Sequence, residues 1–328
     1  MTYPHTNEGS WRSAFRRAQG SSVAPIALAL VVVSVALSFM TPVFFTAGNL
    51  SNIMTQSSVV GIAAVGATLV IITGGIDLSV GANIALSGLV GAIVAQSTNG
   101  ALGIVVVLVL ASLVGAFNGF SVAWLRLAPF IVTLAVLGMA RGLTLQISQG
   151  QSVYGLPDAL NWLGSSQILG IKTAAILTVL IFALTHFVLS STTFGHRIYA
   201  VGGNSEAARL AGINTRVVVF STYVIAGFCA GIAALVTLGR LDSATPNAAI
   251  GIELNVIAAV VIGGTSLFGG KGSMFGTFIG VLLIGVINNG MTLLNVSTFL
   301  VQFVQGVLIF LAVLLDALNT RRVGRRAS

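Results

Sequence analysis

Few side chains in this sequence can do chemistry, and those that can suit hydrogen bonding better than bond cleavage. No phosphate-cradling glycine loop, Ser/His/Asp set, carboxylate pair or metal-ligand spacing occurs, so no cofactor, metal or catalytic residue is expected. Amides recur instead inside apolar runs, at Asn118, Asn288, Asn289, Gln302 and Gln305. Gln302 and Gln305, three apart, share one face of a helix. Each amide offers donors and acceptors together, which suits a hydroxyl-rich solute. The same groups also bond neighbouring helices in lipid, so packing remains the competing reading. Thr133, Arg141 and Glu253 complete the candidate pathway set. An ionisable group such as Arg141 inside an apolar span marks a functional site or snorkels to the interface. Glu253 opens an apolar run and suits a helix start equally well.

A second set of polar residues is concentrated in one place, the stretch SSTTFGHRIYAVGGNSEAARLAGINTR over 190–216. Within it Glu206, Ala207, Ala208, Arg209, Leu210 and Ala211 form a short helix-prone run that Gly212 closes. Asn204 or Ser205 can cap its start, and glycine takes the left-handed conformation a helix end needs. His196, Arg197, Arg209 and Arg216 place the segment on the cytoplasmic side of a membrane. A short helix held there between two spans is a handle for a partner to push.

The elements that position these groups follow from composition. Of 328 residues, 56 % are hydrophobic and only 7 % charged, where soluble domains carry roughly a quarter. The mean hydropathy is +1.02. The fold class is therefore an all-α polytopic membrane protein. A span needs about 20 apolar residues, and ten segments qualify: 23–40, 51–73, 78–97, 101–123, 129–149, 172–190, 216–238, 251–268, 272–294 and 298–318. A signal peptide competes for the first, but that run contains Pro25 and leads into an apolar chain. With both termini cytoplasmic, the inner segments hold Arg12, Arg16, Arg17, Arg126, Arg197, Arg209, Arg216, Lys271, Arg321, Arg322, Arg325 and Arg326. Only Arg141, Lys172 and Arg240 of the 15 basic residues fall elsewhere. That distribution also accounts for the net charge of +8 without nucleic acid. Cys229 is the single cysteine, so no internal disulfide can form. The organisation is a cytoplasmic tail over 1–22, one transmembrane domain over 23–318 with its loop at 191–216, and a basic cytoplasmic tail over 319–328.

Two glycine-rich stretches echo each other: Gly74, Gly75 and Asp77 in GGIDLSVG, and Gly263, Gly264, Gly269 and Gly270 in GGTSLFGG. Both are expected as tight turns at the cytoplasmic side. Asp77 is expected to cap the third span. The eighth span ends in Gly263-Gly264 and is expected to be partial or broken, a form tolerated only where it is buried or lines a cavity. The outer segments 150–171 and 239–250 are where an external partner would land.

Several stretches together resemble the permease subunits of bacterial ABC importers for monosaccharides, the ribose-type group. They are ITGGIDLSVG (72–81), NGFSVAWLRLAPFIVTLA (118–135), RGL (141–143), GGNSEAARLAGI (202–213) and IAAVVIGGTSLFGGKGS (257–273). The run from Glu206 to Gly212 also resembles the E-A-A-x-x-x-G loop of importer permeases, without its usual Ile-x-Leu-Pro continuation. The resemblance implies a cytoplasmic ABC ATPase seated on the 206–212 helix and an external sugar-binding protein. It also implies a second permease subunit, identical or not, beside this one in the bilayer. A branched-chain amino-acid or nucleoside permease is the alternative within the same superfamily. An ion-coupled secondary transporter is the alternative outside it.

Overall fold

The computed structural model describes residues 23–327. The tail expected over 1–22 lies outside the described residues, as do the side chains of the basic run from Arg321. The first five helices are α1 (Val23–Met40), α2 (Ala47–Ile72), α3 (Val80–Ser97), α4 (Gly100–Ala123) and α5 (Pro129–Ser148). Short polar residues set their starts: Thr46 accepts from the Asn49 N–H, Asn99 from the Leu102 N–H, and α5 opens on Pro129. A compact segment follows, with β1 (Val153–Tyr154), α6 (Asp158–Ser165), β2 (Gln167–Ile168) and β3 (Ile171–Lys172). Next come α7 (Thr173–Ser191), α8 (Thr193–Gly203), α9 (Ser205–Leu210) and α10 (Thr215–Leu241). The chain finishes with β4 (Ser243–Ala244), α11 (Ile252–Ile262), α12 (Met274–Leu293) and α13 (Thr298–Ala327).

Eight of these helices are long and apolar enough to cross a membrane: α1 to α5, α7, α10 and α12. Two shorter apolar stretches, α11 and Phe299–Leu311 within α13, fall where the eighth and tenth spans are expected. The protein is a polytopic helical membrane protein, whose only strands among the described residues are two residues long. Large apolar side chains such as Leu113, Phe117, Ile131 and Leu134 are exposed on its flanks, as lipid-facing helices require.

The core lies along α2 and α10, where Ile62, Leu69, Ala233 and Val236 are fully buried. Small residues let the helices close on each other without a hydrophobic driving force in lipid. At the crossing of α4 and α10, a methyl group on Gly115 would lie 2.3 Å from the Tyr223 carbonyl oxygen. Only glycine permits that approach.

Between α2 and α3 the chain is not helical at 75–79, yet it is surrounded by protein. Such backbone is tolerated at membrane depth only when its polar groups find partners. Asn118 Nδ2 donates to Ser79 Oγ (2.8 Å), and Ser79 Oγ in turn donates to Asp77 Oδ1 (2.6 Å). Thr133 Oγ1 lies 3.2 Å from the Ile76 carbonyl oxygen and 3.0 Å from that of Pro129. Asp77 therefore does not cap α3 as expected. Ser79 occupies the cap position without a side-chain cap bond, and Asp77 Oδ1 accepts from the Ser79 N–H at 2.8 Å to hold the preceding turn.

The eighth expected span is the broken one. Its helix, α11, has 11 residues, and the remainder to Ser273 is an irregular loop. Gly264 turns the chain with φ +88°.

Candidate functional site

The polar residues gather at two ends of the bundle. At one end, α8 and α9 form a helical elbow in place of the single short helix expected. Thr192 caps α8 by accepting from the Gly195 N–H, and Asn204 Oδ1 caps α9 by accepting from the Ala207 N–H at 2.9 Å. Past α9 the Ile213 N–H donates to the Ala208 carbonyl at 3.0 Å while Gly212 sits at φ +83°. That is a glycine-terminated helix end.

The elbow is locked to the two glycine turns. A methyl group on Gly202 would lie 1.7 Å from the Ile72 carbonyl oxygen at the end of α2. The same carbonyl accepts from the Gly270 N–H at 2.9 Å, and Tyr199 Oη donates to the Gly272 carbonyl at 2.9 Å. Gly74 and Gly269 meet in the same cluster: a methyl group on Gly269 would lie 3.1 Å from the Gly74 nitrogen. The two stretches that echo each other in sequence thus touch, with the elbow resting on both. Gly75 contributes by close approach, since a methyl group there would lie 2.6 Å from Tyr223 Oη. Gly263 does the same against Gly276 of α12, at 2.7 Å.

On α9 the exposed side carries Glu206, Ala207, Arg209 and Leu210, and Leu210 is 75 % exposed. Arg209 Nε and Nη2 donate to the two oxygens of Glu206 at 3.0 and 2.5 Å. The Arg209 guanidinium holds the Glu206 carboxyl below its ordinary range. Arg209 is thus paired within its own helix. Ala208 is 5 % exposed and packs into the core, so the expectation that it meets a partner is corrected: it faces the helix bundle.

At the opposite end, Arg141 Nη1 donates to the carbonyls of Pro246 (2.7 Å) and Ala248 (3.0 Å), pinning the loop before α11. β1 pairs antiparallel with β4, which joins the segments 150–171 and 239–250. Near them, α11, α12 and α13 border an open cavity of about 750 Å³ lined by Glu253, Asn255, Gln302 and Gln305. Gln305 Nε2 donates to Asn288 Oδ1 (3.1 Å), and Asn288 Nδ2 to Asn255 Oδ1 (3.4 Å), a relay of amides across three helices. The Glu253 carboxylate lies against the start of α3, where a methyl group on Gly81 would come within 2.5 Å of Oε2.

Of the expected pathway residues, Glu253, Asn288, Gln302 and Gln305 thus converge. Four do not join them. Asn118 and Thr133 are fully buried and support 75–79, and Arg141 holds the loop before α11. Asn289 forms a reciprocal buried pair with Asn49, at 2.8 and 3.0 Å, clamping α12 to α2.

Residues 49–313 match the family described as "Branched-chain amino acid transport system / permease component". Over 294 residues the chain is 43 % identical to the ribose import permease protein RbsC of Escherichia coli, covering 88 % of this chain and 92 % of that one. The chain belongs to this permease family. It is also 42 % identical over 292 residues to the RbsC of Bacillus subtilis, covering 88 % and 91 % of the two chains. To the D-allose transport system permease protein AlsC of Escherichia coli it is 40 % identical over 295 residues, covering 89 % and 90 %. No solved structure matches.

Four residues at the two polar ends carry little or no signal in the sequence. Leu210 was hidden because an exposed leucine in an apolar chain carries no signal of its own. Ser57 and Arg240 line a cavity beside the amide relay, and only the packing of α2 on α10 brings them there. Asn255 is marked in the sequence only as an amide near the start of α11.

Proposed function

We propose that this permease is the membrane subunit of an ATP-binding-cassette importer that moves a monosaccharide, a ribose-like pentose or related sugar, across the bacterial cytoplasmic membrane. The observation that carries this reading is the amide relay Asn255–Asn288–Gln305 bordering a cavity of about 750 Å³. The names of the relatives, ribose and D-allose permeases, support the same solute class. A sugar presents hydroxyls that donate and accept, and amides answer both needs.

A separate cytoplasmic ATPase hydrolyses the nucleotide, since the chain contains no P-loop. It docks on the face of α9 formed by Ala207, Leu210 and the Glu206–Arg209 pair. An external sugar-binding protein docks on the surface made by 150–171 and 239–250. A second permease subunit completes the pore. The chain crosses the membrane ten times, with both termini and α9 cytoplasmic; the positions of its basic residues support that orientation. The turns at Gly74, Gly75, Asp77, Gly263, Gly264, Gly269 and Gly270 carry movement of α9 to α2, α11 and α12.

A second reading, import of branched-chain amino acids, is favoured by the description of the matching family. Uptake of labelled D-ribose by cells expressing the complete importer, with unlabelled ribose, allose or leucine as competitor, separates the two. Competition by the sugars alone is the expected result. Absence of ribose uptake, with labelled L-leucine accumulated by the same cells and not competed by either sugar, decides for the amino acid.

A further inference from the structure

On one flank of the bundle, α7 and α12 part to leave an apolar groove of about 340 Å³. Val179, Phe182, Ala183 and His186 form one wall, spaced as a single face of α7. Met274, Phe275 and Phe278, in the first two turns of α12, form the other. Phe182 and Phe278 meet edge to face across the floor, with ring centroids 5.2 Å apart. Val179 is 53 % exposed and Phe275 60 %, so the groove opens to the surroundings of the bundle.

One end of this groove is polar. His186 is exposed there, about a turn and a half before α7 ends at Ser191. An ionisable side chain at such a position in an apolar helix marks a site by default. Lys271 precedes Met274 by three residues, is exposed, and makes no ion pair among the described residues. Tyr199 Oη bonds the Gly272 carbonyl, which fixes the chain between Lys271 and α12. No Asp or Glu occurs over 159–205 or 254–315, the segments that contain both walls and this rim. Glu206, the next acid along the chain, is already paired with Arg209. The rim is therefore basic and uncompensated.

We propose that the groove seats one acyl chain of an anionic phospholipid, whose phosphate is held by Lys271 and His186. Lipid tails are as apolar as leucine, so hydrocarbon fills an apolar groove on a lipid-facing flank without any protein partner. A neutral lipid satisfies the groove alone, whereas an anionic one satisfies the rim as well. Lysine supplies a point charge with three donors, and the imidazole adds an N–H. Basic groups beside a groove between helices attract anionic headgroups in this way. A second copy of the chain fits less well, because a two-fold axis at the groove would set the basic rim against itself. The lipid lies in the leaflet on the side of α9, and the inference holds whichever solute is carried.

The test uses the full-length permease in detergent, titrated with phosphatidylglycerol or phosphatidylcholine of identical chains and read by native mass spectrometry. One phosphatidylglycerol per chain should be held about tenfold more tightly than phosphatidylcholine. Lys271→Gln combined with His186→Gln should abolish that preference and leave phosphatidylcholine binding at its wild-type level. Ala183→Phe, at an exposed position, fills the groove with the rim intact and should weaken phosphatidylglycerol binding by a similar factor. Equal affinity of the wild type for the two lipids, or an unchanged preference in the double variant, overturns the proposal. If the double variant does not fold, Ala183→Phe decides alone: weakened binding supports the site and full retention overturns it. A dimer that Ala183→Phe dissociates, with no lipid held by the wild type, makes the groove a contact between two copies and also overturns it.

Discussion

On α9, Leu210 and Ala208 are two residues apart and have opposite roles. Leu210 is exposed beside an ion pair, while Ala208 is packed among core residues. A large side chain at 208 therefore acts inside the permease, where overpacking costs about 1–3 kcal/mol. Ala208→Trp is expected to lower the melting temperature of the solubilised permease. Leu210→Asp should leave that temperature unchanged and abolish co-purification of the ATPase. If Leu210→Asp retains the ATPase fully, α9 is not the docking helix. Gly212 gives a separate residue-scale expectation. Nothing lies within 4 Å of a side chain added there, so a substitution meets only the strain of φ +83°. Gly212→Val should cost roughly 1–2 kcal/mol and Gly212→Asn visibly less, read by thermal denaturation. Equal stability of the two variants would contradict the conformational account.

At the scale of elements, the non-helical stretch 75–79 and the elbow α8–α9 meet through the glycine turns. Asn118 sits 0 % exposed against Ser79, and replacing it with leucine leaves that hydroxyl short of a donor. Loss of a buried partner costs about 1–3 kcal/mol. Asn118→Leu is thus expected to destabilise the permease, detected by thermal denaturation, with transport falling as a consequence. Normal stability with lost transport would return Asn118 to the pathway. Tyr199→Phe tests the link between elements. It removes one hydrogen bond to Gly272, so the ATPase should still bind while fewer sugar molecules are moved per ATP. An unchanged ratio would disconnect the elbow from the turn. Helix positions were legible because Gly, Pro, Asn and Thr punctuate the apolar runs. Helix faces were not, because in a chain apolar on all sides hydrophobic periodicity carries little information. This is why Asn118 and Asn288, both amides in spans, could not be separated until α3 and α13 were placed beside them. It is also why Ala208 read as partner-facing.

At the scale of the molecule, the proposed orientation rests on the placement of the basic residues. The orientation predicts that cysteine at position 205, placed by Ser205→Cys in a Cys229→Ala background, resists impermeant maleimide in intact cells and reacts in inverted vesicles. Ready labelling from outside would reverse the topology. Ribose-type resemblance was legible in five short motifs, three of which the fold brings to one glycine cluster. The cavity beside the amide relay was not legible, since Ser57, Arg240 and Asn288 come from helices distant in sequence. The central claim is that sugar enters at the expense of ATP. The most direct measurement is uptake of labelled D-ribose into right-side-out vesicles that hold the complete importer, with ATP or a non-hydrolysable analogue inside. The account predicts accumulation with ATP, none with the analogue, and no effect of a protonophore. Accumulation that survives without ATP and collapses with the proton gradient would contradict it.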